Sequence, residues 1–72
     1  MRVVMSYMLQ LERYRRLFAM AWAESILVVL EARDITVPDD VRERIETCTD
    51  PRTLDRWIRR AVTVATADEL VA

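Results

Sequence analysis

Neither glycine nor proline occurs in residues 1–37, and this absence constrains the fold more than any other feature. These two residue types most often interrupt helices and open turns. Residues 3–33 are rich instead in Leu, Met, Ala, Glu and Arg, which favour helix. We therefore predict one long helix over 1–33 that stops near Arg33 and Asp34. Asp34 is expected to cap it in the left-handed conformation, which Asp tolerates better than most residues with a Cβ.

The two prolines of the chain, Pro38 and Pro51, fall where further helices are expected to start. Pro38 fits the first turn of a second helix, which should run to about Cys48. Asp50 and Pro51 fit the N-cap and first position of a third helix. Residues 66–69 (Thr-Ala-Asp-Glu) form a capping-box pattern that opens one last turn. The prediction is a single all-α domain over 1–72: one long N-terminal helix, then a short helical hairpin and a final helical turn within 38–72.

Each short helix carries one apolar face at helical spacing. The second helix is expected to bury Val41, Ile45 and Cys48. The third is expected to bury Leu54, Trp57, Ile58, Ala61 and Val62. Because Cys48 shares the face of Val41 and Ile45, we interpret it as a small core residue.

The composition argues against catalysis and against bound cofactors. The chain has no His and no Lys, which excludes a histidine base and a lysine nucleophile. Without His, its one Cys cannot supply the ligands of a tetrahedral structural zinc site. Its single Cys excludes an internal disulfide. The acidic pairs at 39–40 and 68–69 could in principle hold a divalent ion, but their positions at helix starts fit dipole partners and caps better. We expect a non-enzyme with no metal and no cofactor.

The lengths of the helices predict a partner. A helix of 31 residues spans about 46 Å, whereas helices of roughly 10 and 14 residues reach about 15 and 21 Å. By connectivity the short helices can cover only the C-terminal half of the first. Its N-terminal half then keeps apolar side chains that nothing in the chain covers. We predict a homodimer, or association with a larger protein, through Val4, Tyr7, Met8, Leu11, Tyr14, Phe18 and Trp22.

A second interpretation concerns the other face of the third helix. It carries Arg52, Arg56, Arg59 and Arg60, and such a helix after a short turn resembles a helix-turn-helix recognition element. A solvated polar face is favoured, because the net charge is −1 and nucleic-acid-binding domains are normally basic. A weaker third alternative is a first helix that binds a small ligand or lies on a membrane surface. No membrane span is expected, and the lone Cys fits a cytoplasmic protein.

Residues 24–72 resemble a family of bacterial proteins. The resemblance lies in the segments 26–33 (Ile-Leu-Val-Val-Leu-Glu-Ala-Arg), 35–45 (Ile-Thr-Val-Pro-Asp-Asp-Val-Arg-Glu-Arg-Ile), 48–50, 54–61 and 67–70. They are similar to the C-terminal helical tail of the actinobacterial recombination-promoting nuclease / putative transposase family. Family members usually have Gly where Asp34 stands, and a charged Glu/Ala/Gly-rich helix where residues 1–23 stand. The nuclease domain of that family uses a (D/E)-x-K element, which a chain without Lys does not contain. The resemblance thus implies the accessory tail alone.

Overall fold

The computed structural model describes the backbone of residues 2–72 and the side chains of residues 10–72. Four helices follow one another along the chain: α1 (Arg2–Ala32), α2 (Asp39–Thr47), α3 (Pro51–Ala61) and α4 (Ala67–Val71). No strand occurs within residues 2–72. The predicted fold class is confirmed: a long helix precedes two shorter helices and a final short one.

The end of α1 is a Schellman motif built around Asp34. Asp34 has a φ of 57°, in the left-handed region that usually needs glycine. Its N–H donates to the carbonyl of Glu31, and the N–H of Ile35 donates to the carbonyl of Leu30, both at 2.9 Å. Ile35 packs against the core, an apolar contact that frequently accompanies the motif. The predicted left-handed cap is therefore confirmed, and it redirects the chain towards α2.

The core lies between the C-terminal half of α1 and the three short helices. On α1 the fully covered side chains recur at helical spacing: Ala19, Ala23, Ile26 and Leu30. The short helices contribute Val41, Ile45, Leu54, Trp57, Ala61, Ala67 and Leu70. The small alanines let α3 approach α1 closely. The covered stripe of α1 was not singled out by its sequence, because the larger residues around it have the same spacing.

The covered stripe of α1 ends where its residues become charged. Projected towards the N-terminus at helical spacing, the line through Leu30, Ile26 and Ala19 continues to Arg15 and Glu12, and both are exposed. Burying a charged group there without a partner would cost free energy. The short helices therefore stop at about Ala19, as the lengths predicted.

The helix starts agree with the sequence in most details. Pro38 is the N-cap of α2 and lies just before its first turn, whereas the sequence predicted it inside that turn. Asp50 and Pro51 occupy the predicted N-cap and first position of α3. At α4 the Thr66 hydroxyl accepts from the N–H of Glu69, and the Glu69 carboxylate accepts from the N–H of Ala65. This is a capping box in which the carboxylate accepts from the N–H of the residue before the N-cap, and not from that of the N-cap itself.

Three predicted core positions differ in the structure. Val62 is 61% exposed, because α3 ends at Ala61 and the chain turns there. Ile58 and Cys48 are half-buried at the edge of the core. The prediction for Val62 was wrong because the apolar pattern was extended past the last helical residue.

Two arginines close the ends of the short helices. Arg33 donates from Nη1 to the carbonyls of Ala61 and Val64, at 2.8 and 2.7 Å. Arg60 donates from Nη1 to the carbonyls of Leu70 and Ala72, at 3.3 and 3.0 Å. The last carbonyls of a helix lack intrahelical donors, so these charged donors satisfy groups that otherwise face solvent. Arg33 also ties the end of α1 to the end of α3.

Replacing Trp57 by Ala should unfold much of the domain. Trp57 is 4% exposed, and truncating a buried aromatic side chain costs about 3–5 kcal/mol. The free energy of unfolding should be measured by denaturant titration followed by circular dichroism. Val62→Ala is the control and should change that free energy by less than about 0.5 kcal/mol. Equal stability of the two variants would place Trp57 outside the core.

Replacing Asp34 by Gly should stabilise the protein by about 0.5–1 kcal/mol, because Gly adopts positive φ without the penalty that a Cβ brings. The same titration measures the change. Glu43→Gly, at an exposed position inside α2, is the matched control and should destabilise by about 1 kcal/mol. If both substitutions destabilise equally, the left-handed cap at Asp34 is wrong.

Candidate functional site

A line of exposed side chains runs along α1 on a side that no part of the described chain covers. Its members are spaced alternately by three and four residues, and we call them the exposed stripe: Leu11, Tyr14, Phe18, Ala21, Ser25 and Val28. Tyr14 and Phe18 are 65% and 63% exposed, and Val28 is 55% exposed. Large apolar side chains left in water at this regularity are typical of a helix that pairs with another helix.

The exposed stripe and the core lie on different sides of α1. With 3.6 residues per turn, the stripe is centred about 140° around the helix from the line of Ala19, Ala23 and Ile26. The hairpin therefore leaves the stripe uncovered even at Ser25 and Val28, at the level of the core. Residues 17–30 are apolar on nearly every side of the helix, a pattern typical of a helix that is buried on more than one side.

A half-open groove borders the stripe on the side of α3. It encloses about 600 Å³. Its α1 wall is formed by Leu11, Glu12, Tyr14, Arg15, Phe18, Ala19 and Trp22, and its opposite wall by Thr49, Pro51 and Leu54. Trp22 is half-buried: it packs against the core and also faces the groove. Most of the lining is apolar; its charged residues are Glu12 and Arg15, and Thr49 is a further polar residue.

The structure brings several predicted interface residues together. Leu11, Tyr14 and Phe18 belong to the exposed stripe, and all three line the groove with Trp22. The predicted interface residues Val4, Tyr7 and Met8 lie outside the residues whose side chains are described.

Three stripe members were missing from the predicted interface: Ala21, Ser25 and Val28. Ser25 is polar, so a search for apolar residues passes over it. Its hydroxyl donates to the carbonyl of Ala21 at 2.9 Å, so its polar group is already satisfied within α1. The alternating three-and-four spacing is the signal that could have found all three, since it continues unbroken from Leu11 to Val28.

The four arginines proposed for the alternative interface have different surroundings. Arg52 and Arg56 are exposed on α3. Arg59 pairs with Asp55, one turn earlier on the same helix, at 3.1 Å. Arg60 is half-buried, and its guanidinium caps the end of α4. The face therefore presents two guanidinium groups without an ion pair among the described residues, one paired group, and one used within the fold.

Two further properties concern only the described part of the chain. Among these residues, no three Cys, Asp or Glu side chains lie close enough together to hold a metal ion. No helix in this part combines the length and the apolar character that crossing a membrane requires.

Comparison with known proteins gives no relative. No family model, curated protein or solved structure matches the chain. The resemblance of residues 24–72 to the nuclease-family tail therefore stays a prediction.

The far wall of the groove depends on the turn at Asp50, which opens α3. The hydroxyl of Thr53 donates to Asp50 Oδ2 at 2.7 Å, and this hydrogen bond lowers the pKa of the Asp50 carboxyl below its ordinary value. A carboxyl whose pKa is lower in the folded state contributes stability above its unfolded pKa. That contribution is lost as the pH falls through the folded pKa.

Replacing Thr53 by Val should raise the pKa of Asp50 towards its ordinary value, because the hydroxyl donor is removed. A pH titration of the carboxyl carbon by NMR measures this shift. Thr63→Val, whose hydroxyl contacts the carbonyl of Arg60 instead, should leave the pKa of Asp50 unchanged. An unaltered pKa in Thr53→Val would mean that the hydroxyl does not stabilise the charged carboxylate.

Proposed function

We propose that the chain is a non-catalytic helical module that forms a homodimer, and so mediates protein–protein interaction, through α1. The observation that carries this proposal is the exposed stripe, a regular and mostly apolar line on the side of α1 opposite the intramolecular core. The proposal includes no chemical step: the chain lacks the His and Lys residues that most often act as bases or amine nucleophiles. A cytoplasmic location is part of the proposal and is supported by the single Cys.

The free energy of apolar burial favours a partner. Burying a side chain such as Leu or Phe contributes about 1.5–3 kcal/mol, and the stripe holds several such side chains in water. Among the described residues the intramolecular core is small, and its largest fully enclosed side chains are those of Ile26, Leu30, Ile45 and Leu70. A chain of 72 residues with so small a core gains much of its stability from association. Aromatic residues such as Tyr14 and Phe18 are also enriched where proteins meet.

The alternative function, nucleic-acid binding through the arginine face of α3, has less support. Arg60 donates to two carbonyls of the fold and Arg59 pairs with Asp55, which leaves Arg52 and Arg56 for phosphate contacts. The chain as a whole has a net charge of −1. Phosphate binding supplies most of the affinity of such proteins, and it requires several free cations on one surface.

The solution mass tests the proposal and separates the two functions. Light scattering on a sizing column should give twice the chain mass of 8.5 kDa. The mass should not fall at high salt, because apolar pairing is insensitive to ionic screening. A monomer at micromolar concentration would contradict the proposal. Binding of duplex DNA that weakens steeply with salt would favour the alternative instead.

Replacing Phe18 by Glu should weaken dimerisation about 100-fold or more. The substitution removes a large apolar contact and places a carboxylate in the interface, at a cost of about 3 kcal/mol. Sedimentation equilibrium measures the dissociation constant. Met20→Glu is the matched control, because Met20 is equally exposed (64%) and lies on the same helix about 160° away. Equal effects of the two substitutions would place the interface elsewhere.

A further inference from the structure

The alternating three-and-four spacing of the exposed stripe specifies the kind of partner. A repeat of three and four residues averages 3.5, the period that keeps one line of side chains facing a second helix in a left-handed coiled coil. The stripe holds this period over six positions from Leu11 to Val28, all exposed in the described structure. Its partner is therefore a helix with the same period, and α1 of a second copy has it.

We infer that two copies of α1 pair antiparallel, with Leu11 opposite the partner's Val28, Tyr14 opposite the partner's Ser25, and Phe18 opposite the partner's Ala21. This inference rests on the proposed function and specifies its geometry. The twofold symmetry of a homodimer repeats each of these contacts. All six positions of the exposed stripe are then used, and no described member remains in water.

Side-chain volumes favour the antiparallel arrangement. In a parallel pair each residue faces its own copy, so Phe18 would meet Phe18 and Ala21 would meet Ala21 in the next layer. That places an overfilled layer beside an empty one, and both defects destabilise packed interfaces. In the antiparallel pair every aromatic side chain faces a small one. The hydroxyl of Ser25 already donates to the carbonyl of Ala21, so its donor stays satisfied when the partner's Tyr14 covers it.

The flank of the stripe next to the groove supports the same arrangement. Arg15 and Trp22 lie on this flank and both line the groove. In an antiparallel pair the symmetry axis is perpendicular to the helices, so this flank meets the same flank of the partner. Arg15 then lies beside the partner's Trp22. A guanidinium over an indole face is a favourable cation–π contact. The exposed part of Trp22, which is half-buried in the single chain, is thereby covered.

Disulfide trapping tests the register. In a Cys48→Ser background, Tyr14→Cys and Ser25→Cys are prepared as separate chains of different tag length, and each is oxidised alone and after mixing. A disulfide needs Cα atoms roughly 4.4–6.8 Å apart. In the inferred pair, position 14 faces position 25, whereas two copies of either position are displaced by 11 residues, about 16 Å along the helix. The expected result is a cross-linked species of mixed mass from the mixture and none from either chain alone.

Each other outcome has a distinct meaning. Cross-linking of each chain alone, with none between the two in the mixture, would indicate parallel pairing and overturn the inference. No cross-link in any sample, with light scattering still giving a dimer under reducing conditions, would overturn the register but leave the proposed function standing. A monomer in light scattering of the unsubstituted protein would instead overturn the proposed function itself. Leu11→Cys with Val28→Cys is a second pair that must give the same pattern, and it serves if Tyr14→Cys weakens the dimer.

Discussion

The structure depends on the close packing of α3 against the small residues on one side of α1. Ala19 and Ala23 have little side-chain volume, so the backbone of α3 can approach and Leu54 and Trp57 can reach across to α1. Everything else in the described fold is arranged around that contact. The Schellman motif at Asp34 turns the chain back towards it, and α4 closes its far end through Leu70.

α1 forms both the core-facing surface and the exposed stripe, because the size and charge of its residues differ from one side of the helix to the other. Towards the hairpin, small and branched apolar residues give way to Glu12 and Arg15, which set the limit of the core. On the far side, aromatic and aliphatic residues continue beyond that limit. Trp22 stands between the two surfaces, with one part against the core and one part in the groove. Its position links the stability of the hairpin to whatever occupies the groove.

The sequence predicted the helices well because their boundaries are local properties. Asp34, Pro51 and Thr66 specify their turns through the conformations and hydrogen bonds of a few neighbouring residues. The faces of α1 were harder to assign. When a helix is apolar on nearly every side, periodicity alone does not indicate which line packs against the hairpin and which is left exposed. The choice of Ala19 and Ala23 over Phe18 is decided by the shape of α3, which no local pattern contains. Arg60 is a similar case, since its capping role depends on where α4 ends.

The hydrogen bonds of Arg33 have a consequence for the uniqueness of the native state. Packing on alanine is tolerant, because a smooth surface permits α3 to rotate or slide by small amounts with little change in buried area. A planar guanidinium that donates to the carbonyls of Ala61 and Val64 permits much less, since its donors point in fixed directions. Ala61 and Val64 lie 28 and 31 positions after Arg33 in the sequence. The two hydrogen bonds of Arg33 therefore restrict rotation and sliding of the hairpin against α1 more than contact with alanine side chains does.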